Sequence, residues 1–480
     1  MNKMLLHNRK KLAILSINGK YLIKHCNLFG NERRNVKKML TQKIQLGEEI
    51  SVLAKKLAQE GKEVLREKGF TKEQQEIFEE MFQKCFVSTA DTTTKLLENG
   101  ETYVFTGDIE AMWLRDSSAQ VVHYLPFAKE FLQIRHMIAG LIQRQMRYIT
   151  IDPYANAFNE EENGHCWEKD DTESNDWEWE RKYEVDSLCY PLWLLHSYYE
   201  ATGDETVFSP EVKKAFRRIL DTWKTEQNHD NESSYYFRRT NCPPTDTLSN
   251  DGKGEPTAYT GMTWSGFRPS DDACRYGYLV PSNMFASVVL GYLAEYAADK
   301  YHDEEMAKEA LTLKKEIEMG IDSYAVRNLE GIGETYVYET DGYGNDVWMD
   351  DANVPNLLSM PWLGWCDASD ERYQNTRKWV LSSKNPFYYE GSAAKGVGSP
   401  HTPSGYIWHI ALAMQGLTSN DEEEKTGLMQ TLLATDAGTR LMHEGFNSND
   451  PTAFTREWFA WANSLFALYA MEYCGLTNRD

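Results

Sequence analysis

From residue 44 onward the chain repeats one pattern: apolar residues three and four positions apart, with charged residues between them. In 44–68 and 72–83 that spacing lines one helix face with apolar groups and leaves the other to water. The same period predicts helices over 117–125, 134–149, 185–199, 210–227, 283–301, 303–324, 354–363, 370–381, 404–417, 420–435 and 456–473. Ser209-Pro210 and Pro403-Ser404 are start signals at two of them. Strict alternation is scarce, so only short strand-like pieces are expected, at 101–106, 234–238 and 335–339.

About a dozen helices, joined alternately by long and short loops, suit a ring of helical hairpins. Plain turns such as 201–204 and 418–420 would close one face, and the long loops would build a pit on the other. No strict sequence repeat is visible, so the ring rests on this alternation alone. An ordinary helical multidomain enzyme is the alternative. No Pro/Ser/Gly linker interrupts the chain beyond about residue 70, so 41–480 reads as one domain.

Composition narrows the function. At 480 residues, 41% hydrophobic and 12% aromatic, the chain can bury a large core and is not globally disordered. A net charge of −22 repels nucleic acid and anionic membranes, and neither partner is expected. Residues 1–40 run the other way, with basic residues from Lys3 to Lys38 against the single acid Glu32. Their apolar core, 12–17, is shorter than the ~7–15 residues of a signal peptide, and no run reaches the ~18 of a membrane span. Residues 1–40 therefore read as a loosely ordered extension, with Met39 as an alternative start. The eight cysteines form no C-x-x-C pair and suit a reduced, cytoplasmic protein. His401, His409 and His443 lack a ligand spacing, so neither metal nor other cofactor is expected.

Six long loops hold the candidate chemistry. TGDIEAMWLRDSS (106–118) groups Trp113, Arg115 and Asp116 at a helix start. The acid and guanidinium can grip adjacent hydroxyls over an aromatic floor, or Asp116 can simply cap the helix. CWEKDDTESNDWEWERKYEVD (166–186) adds Glu184 among Trp and Asp residues. TWSGFRPSDDACRYGYLVPSN (263–283) contains adjacent Asp271 and Asp272, whose like charges should raise one pKa. The bland reading is that one caps a turn and the other pairs with Arg268 or Arg275. WMDDAN (348–353) supplies further acids, and AKGVGSPHTPSGYIW (394–408) brings His401 in a glycine-rich setting. HEGFNSNDPTAFTREW (443–458) holds Glu444 and Arg456; Glu457 suits a helix-end role better than a catalytic one. Two distant acids in aromatic loops, Asp271 and Glu444, are what glycoside hydrolysis needs: one to protonate the leaving oxygen, one to handle water or attack the sugar.

TGDIEAMWLRDSSAQ, KYEVDSLCYPLWL, TWSGFRPSDDAC and HEGFNSNDPTAFTREWFAWANSLFA together resemble the exo-α-1,6-mannosidases of glycoside hydrolase family 125, over roughly 45–475. The resemblance implies an all-α (α/α)6 toroid and metal-independent, inverting removal of non-reducing terminal mannose, with N-glycan-derived oligosaccharides as substrates. It places the general acid at Asp271 and the general base at Glu444. It implies substrate contacts from Trp113, Arg115 and Asp116, and also from Glu184, Asp272, His401 and Arg456. A related toroid hydrolase for another sugar, or a non-catalytic carbohydrate-binding protein, are the alternatives.

Overall fold

The computed structural model describes residues 14–17, 20–23 and 30–476, and side-chain surroundings from Lys38 onward. Among the described residues, twelve α-helices of six residues or more follow one another. They are α1 (Gly30–Glu67), α2 (Lys72–Ser88), α3 (Leu114–Ala119), α4 (Leu132–Ile151), α5 (Val185–Thr202) and α6 (Pro210–Glu226). After them come α7 (Val280–Tyr301), α8 (Glu304–Tyr324), α9 (Glu371–Val380), α10 (His409–Leu417), α11 (Glu422–Ala434) and α12 (Ala460–Tyr473).

Two concentric layers result. α3 packs on α5, α5 on α7, α10 on α12 and α12 back on α3, forming the inner ring. α2, α4, α6, α8 and α11 pack around it, α9 joins it through Tyr373 Oη on the Leu358 carbonyl and Arg377 on the Gln415 carbonyl, and α1 lies outside against α2 and α4. Residue patterning explains the division. In α6, Val212, Ala215, Phe216, Ile219, Leu220 and Trp223 are buried at three-to-four spacing, which is one face. In α12 every residue except Glu472 is buried, because an inner helix has neighbours on all sides. This is the (α/α)6 toroid.

The sixth inner position departs from the helix expected over 354–363. Residues 354–365 form consecutive turns, beginning at the cis bond Val354–Pro355. Side chains take over the hydrogen bonds a helix would make. The Asp350 carboxylate accepts from the Leu357 and Leu358 amides at 2.8 and 3.2 Å, and Asn356 and Ser359 exchange bonds with each other's backbone. The segment still fills the ring, with Trp362 against Trp193 of α5 and Gly364 against Val288 of α7.

Other boundaries move for local reasons. α10 begins at His409 and not at 404, because 406–408 pairs as a strand with 445–447. α12 begins at Ala460 and not at 456, where Arg456 takes a positive φ of 46°. α1 starts at Gly30, upstream of the predicted 44. Most of the extension expected over 1–40 lies outside the described residues; within it, 14–17 and 20–23 pair as an antiparallel hairpin. Among the described residues no helix is long and apolar enough to cross a membrane.

The ends of the helices differ largely by layer. In the outer layer α2, α6, α8, α9 and α11 carry side-chain N-caps from Thr71, Ser209, Asp303, Asp370 and Asp421, and α4 alone starts, at Phe131, without one. The five inner helices begin at Trp113, Glu184, Leu279, Trp408 and Phe459 without one. Partners outside the helix take the first amides of four of them instead: Leu114 donates to the Asn156 carbonyl, Val185 to Ser265 Oγ, Val280 to the Tyr338 carbonyl and Ala460 to the Thr106 carbonyl.

Candidate active site

The long loops meet over the N-terminal ends of the inner helices and form a narrow pit, with a cavity volume of about 40 Å3. Trp113, Trp408 and Phe459, the residues that precede α3, α10 and α12, line it together with Trp461. Short antiparallel pairings set these residues in place. Trp113 pairs with Ala157, and Ala157 in turn with Glu180. Trp408 pairs with Gly445, which brings Glu444 to the pit from the far end of the chain.

On one side stands Asp271. Its backbone is left-handed, φ 66°, a conformation Asp tolerates better than most residues. The Lys182 ammonium holds the Asp271 carbonyl at 2.8 Å, and Arg268, the start of the turn, is fixed by buried Glu339 at 2.5 Å. The turn aims the carboxylate at the ring axis. There Oδ1 accepts from Trp113 Nε1 at 3.2 Å and Asn156 Nδ2 at 3.1 Å, with Arg115 Nη2 at 3.6 Å. Burial works to raise the Asp271 pKa, but Arg115 and Lys182 overcome it and hold it below the usual carboxylate range.

Arg115 is almost wholly buried at the base of the pit and touches four carboxyls: Glu184 at 2.5 Å, Asp186 at 3.2 Å, Asp116 at 3.5 Å and Asp271 at 3.6 Å. Burial pushes Asp116 up to about 6, with Arg115 pulling against it. Asp116 faces the pit and caps nothing, since α3 has no side-chain cap.

Across the pit stands Glu444, 3.7 Å from Arg456 Nη1. Arg456 is in turn gripped by Asp108 and lies over the Phe459 ring at 4.5 Å. His401 completes the wall, its Nδ1 3.5 Å from Asp272. Burial opposes charge on His401, but Asp272, Glu444 and Asp271 hold the imidazole protonated up to about 9.

Trp113, Arg115, Asp116, Asp271, His401, Glu444 and Arg456 thus come together as the sequence led us to expect. Two residues do not line the pit. Glu184 is buried behind Arg115, and Asp272 sits behind His401, bonded by Ser270. The adjacency of Asp271 and Asp272 does not raise the Asp271 pKa, because the left-handed turn sends the two carboxyls to different partners. Neither pairs with Arg268, which belongs to Glu339. Glu457 is exposed and outside the pit. The sequence did not single out Asn156 or Lys182: Asn156 lies outside the six loops, and Lys182 is one charge among many in 166–186 whose contact with Asp271 only the fold creates. Among the described residues no group of three or more His, Cys, Asp or Glu is placed to hold a metal.

Residues 75–471 match the family described as metal-independent alpha-mannosidase (GH125). The chain is 37% identical over 409 residues to the meiotically up-regulated gene 157 protein of Schizosaccharomyces pombe, covering 81% of this chain and 80% of that protein. It superposes with a TM-score of 0.83 and 48% identity on a metal-independent α-mannosidase of Streptococcus pneumoniae, solved in a non-productive complex with α-1,6-mannobiose. That match covers 88% of this chain and 99% of the other. With most of its length in the match and the site residues gathered in one pit, the chain belongs to the metal-independent α-mannosidases of glycoside hydrolase family 125.

Proposed function

We propose that the protein is an exo-acting, inverting α-1,6-mannosidase that removes terminal mannose from oligosaccharides derived from N-linked glycans. One observation carries the reading: Asp271 and Glu444, far apart in sequence, line a single pit floored by the buried side chains of Arg115, Trp408 and Trp461. The α-1,6-mannobiose complex of the Streptococcus pneumoniae relative supports the linkage. A cytoplasmic setting belongs to the same proposal, supported by free thiols at Cys85, Cys189, Cys274 and Cys474.

In this reading the terminal mannose fills the pit. Asp116, Arg115 and the His401 imidazolium bind its hydroxyls, and Trp113 and Trp408 offer apolar faces to its ring. Asp271 protonates the glycosidic oxygen as the bond to the anomeric carbon breaks. Glu444, oriented by Arg456, takes a proton from a water that attacks the opposite face. Charge develops on the sugar ring between two acids, where a water-poor site strengthens each electrostatic contact.

Substitution separates the two roles. Asp271→Ala should cost about 10²–10⁴-fold on α-1,6-mannobiose and far less on an aryl mannoside whose leaving group needs no proton. Glu444→Ala should abolish turnover of both, because each needs the activated water. Equal losses in Asp271→Ala on the two substrates would remove Asp271 from the acid's role.

A further inference from the structure

The arrangement beneath the pit leaves a question open: where the acid's proton resides before reaction. One guanidinium, Arg115, serves four carboxyls, of which Asp116, Glu184 and Asp186 are buried and Asp271 opens on the pit. Lys182 is committed to Asp246 at 2.5 Å and to the Asp271 carbonyl, and the His401 imidazolium lies with Asp272. Four ionised carboxylates crowded on one guanidinium repel one another, which favours a proton on one of them.

The contacts single out Glu184. Its side chain is fully buried at the start of α5, and its two oxygens live in different surroundings. Oε2 accepts from Arg115 Nη1 at 2.5 Å and from Ser187 Oγ at 2.8 Å. Oε1 has only Asn156 Nδ2, at 3.5 Å, and that same nitrogen lies 3.1 Å from Asp271 Oδ1. The Glu184 and Asp271 carboxyls thus converge on one amide nitrogen and one guanidinium. Two carboxylates so placed repel each other unless one carries a proton. Oε2, accepting twice, behaves as the carbonyl; Oε1 is left as the hydroxyl.

We propose that Glu184 holds the catalytic proton in the free enzyme and passes it to Asp271, acting as a positioning and proton-holding residue without touching the sugar. The inference rests on Asp271 being the general acid. Protonation preferences run the same way: burial drives Glu184 well above the ordinary carboxylate range, against the pull of Arg115, while Asp271 is held down. In the reaction the Glu184 Oε1 proton moves to Asp271, and the Asp271 proton moves to the glycosidic oxygen, which takes the electron pair of the broken bond. Water forms the new bond to carbon and gives its proton to Glu444. Glu184 is left anionic against Arg115, which is already in place to stabilise it. Glu444 then loses its proton to solvent, and the Glu184–Asp271 pair regains one.

Glu184→Gln tests this, since the amide matches a protonated carboxyl in shape and charge but has no proton to transfer. The variant should fold, with a melting temperature near that of the parent. Its kcat on α-1,6-mannobiose should fall about 100-fold or more, with KM little changed, and its loss on an activated aryl mannoside should be about ten times smaller. The alkaline limb of its kcat/KM profile should move to lower pH, because Asp271 would titrate alone. The groups facing the pair are Arg115 and Asp116 from α3, Asp186 from α5, and Lys182 and His401 from the loops; all remain in the variant. Equal losses on both substrates, or an unmoved alkaline limb, would overturn the proposal. If the amide variant fails to fold, Glu184→Asp serves, its shorter carboxyl drawing back from Asp271; an unmoved limb there has the same force. Asp271→Asn in parallel separates the two readings. Leaving-group dependence in Asp271→Asn but not in Glu184→Gln rejects only the role of Glu184, and its absence in both rejects Asp271 as the acid.

Discussion

His401 shows how a single residue links charge, stability and function. It is the only imidazole in the wall of the pit, and three carboxylates face it. An ordinary histidine titrates near ~6.5. In the folded protein the proton stays until about 9, so folding binds it more tightly than the unfolded chain does. The resulting stabilisation is complete below the unfolded pKa and disappears as pH rises through about 9. The melting temperature of the parent minus that of His401→Gln should therefore be largest near pH 6 and shrink towards pH 10. The difference will be modest, because the His401 side chain is 41% exposed and solvent screens it. A difference that ignores pH would mean that His401 is neutral in the folded state. Such a result would also remove the charged donor assigned to it beside Asp271 and Glu444.

At the scale of elements, the loop that delivers Asp271 depends on close packing around Trp264. That ring stacks on His229 at 3.6 Å, and His229 is tied to Glu226 at 2.6 Å and to the Lys253 carbonyl at 3.0 Å. The other side of Trp264 meets Gly277, where an added Cβ would lie 1.9 Å from the indole. Trp264 has nowhere to retreat. Gly277→Ala should lower stability by about 1–3 kcal/mol in denaturant titration and reduce activity as well, since both flank the turn that holds Asp271. Gly427→Ala, in α11 where nothing lies within 4 Å, should be neutral or gain about 0.5–1 kcal/mol. Equal behaviour of the two variants would argue against tight packing at Trp264. The helices themselves were legible because a three-to-four spacing is a local property. The exception, 354–365, has the same apolar spacing, but Asp350, Asn356 and Ser359 satisfy its amides from the side. That competition cannot be read from periodicity.

For the whole molecule, the ring converts loop composition into a site. Trp113, Arg115, Asp116, His401, Glu444 and Arg456 were legible because acids, cations and aromatics crowd the long loops, and the long loops share one face. The direction of a side chain is not encoded in such crowding. Glu184 and Asp272 sit in the right loops yet point behind the pit, and Asn156 and Lys182 matter only through contacts with residues far away in sequence. In the proposed reaction Asp271 and Glu444 work on opposite sides of the bond as acid and base. Room for a water between them requires carboxyls ~6.5–9.5 Å apart, whereas a covalent intermediate requires ~5–5.5 Å. Proton NMR of α-1,6-mannobiose during the first minutes of hydrolysis reads the outcome before mutarotation blurs it. An inverting acid–base pair releases β-mannose first; α-mannose as the first product would rule the pair out.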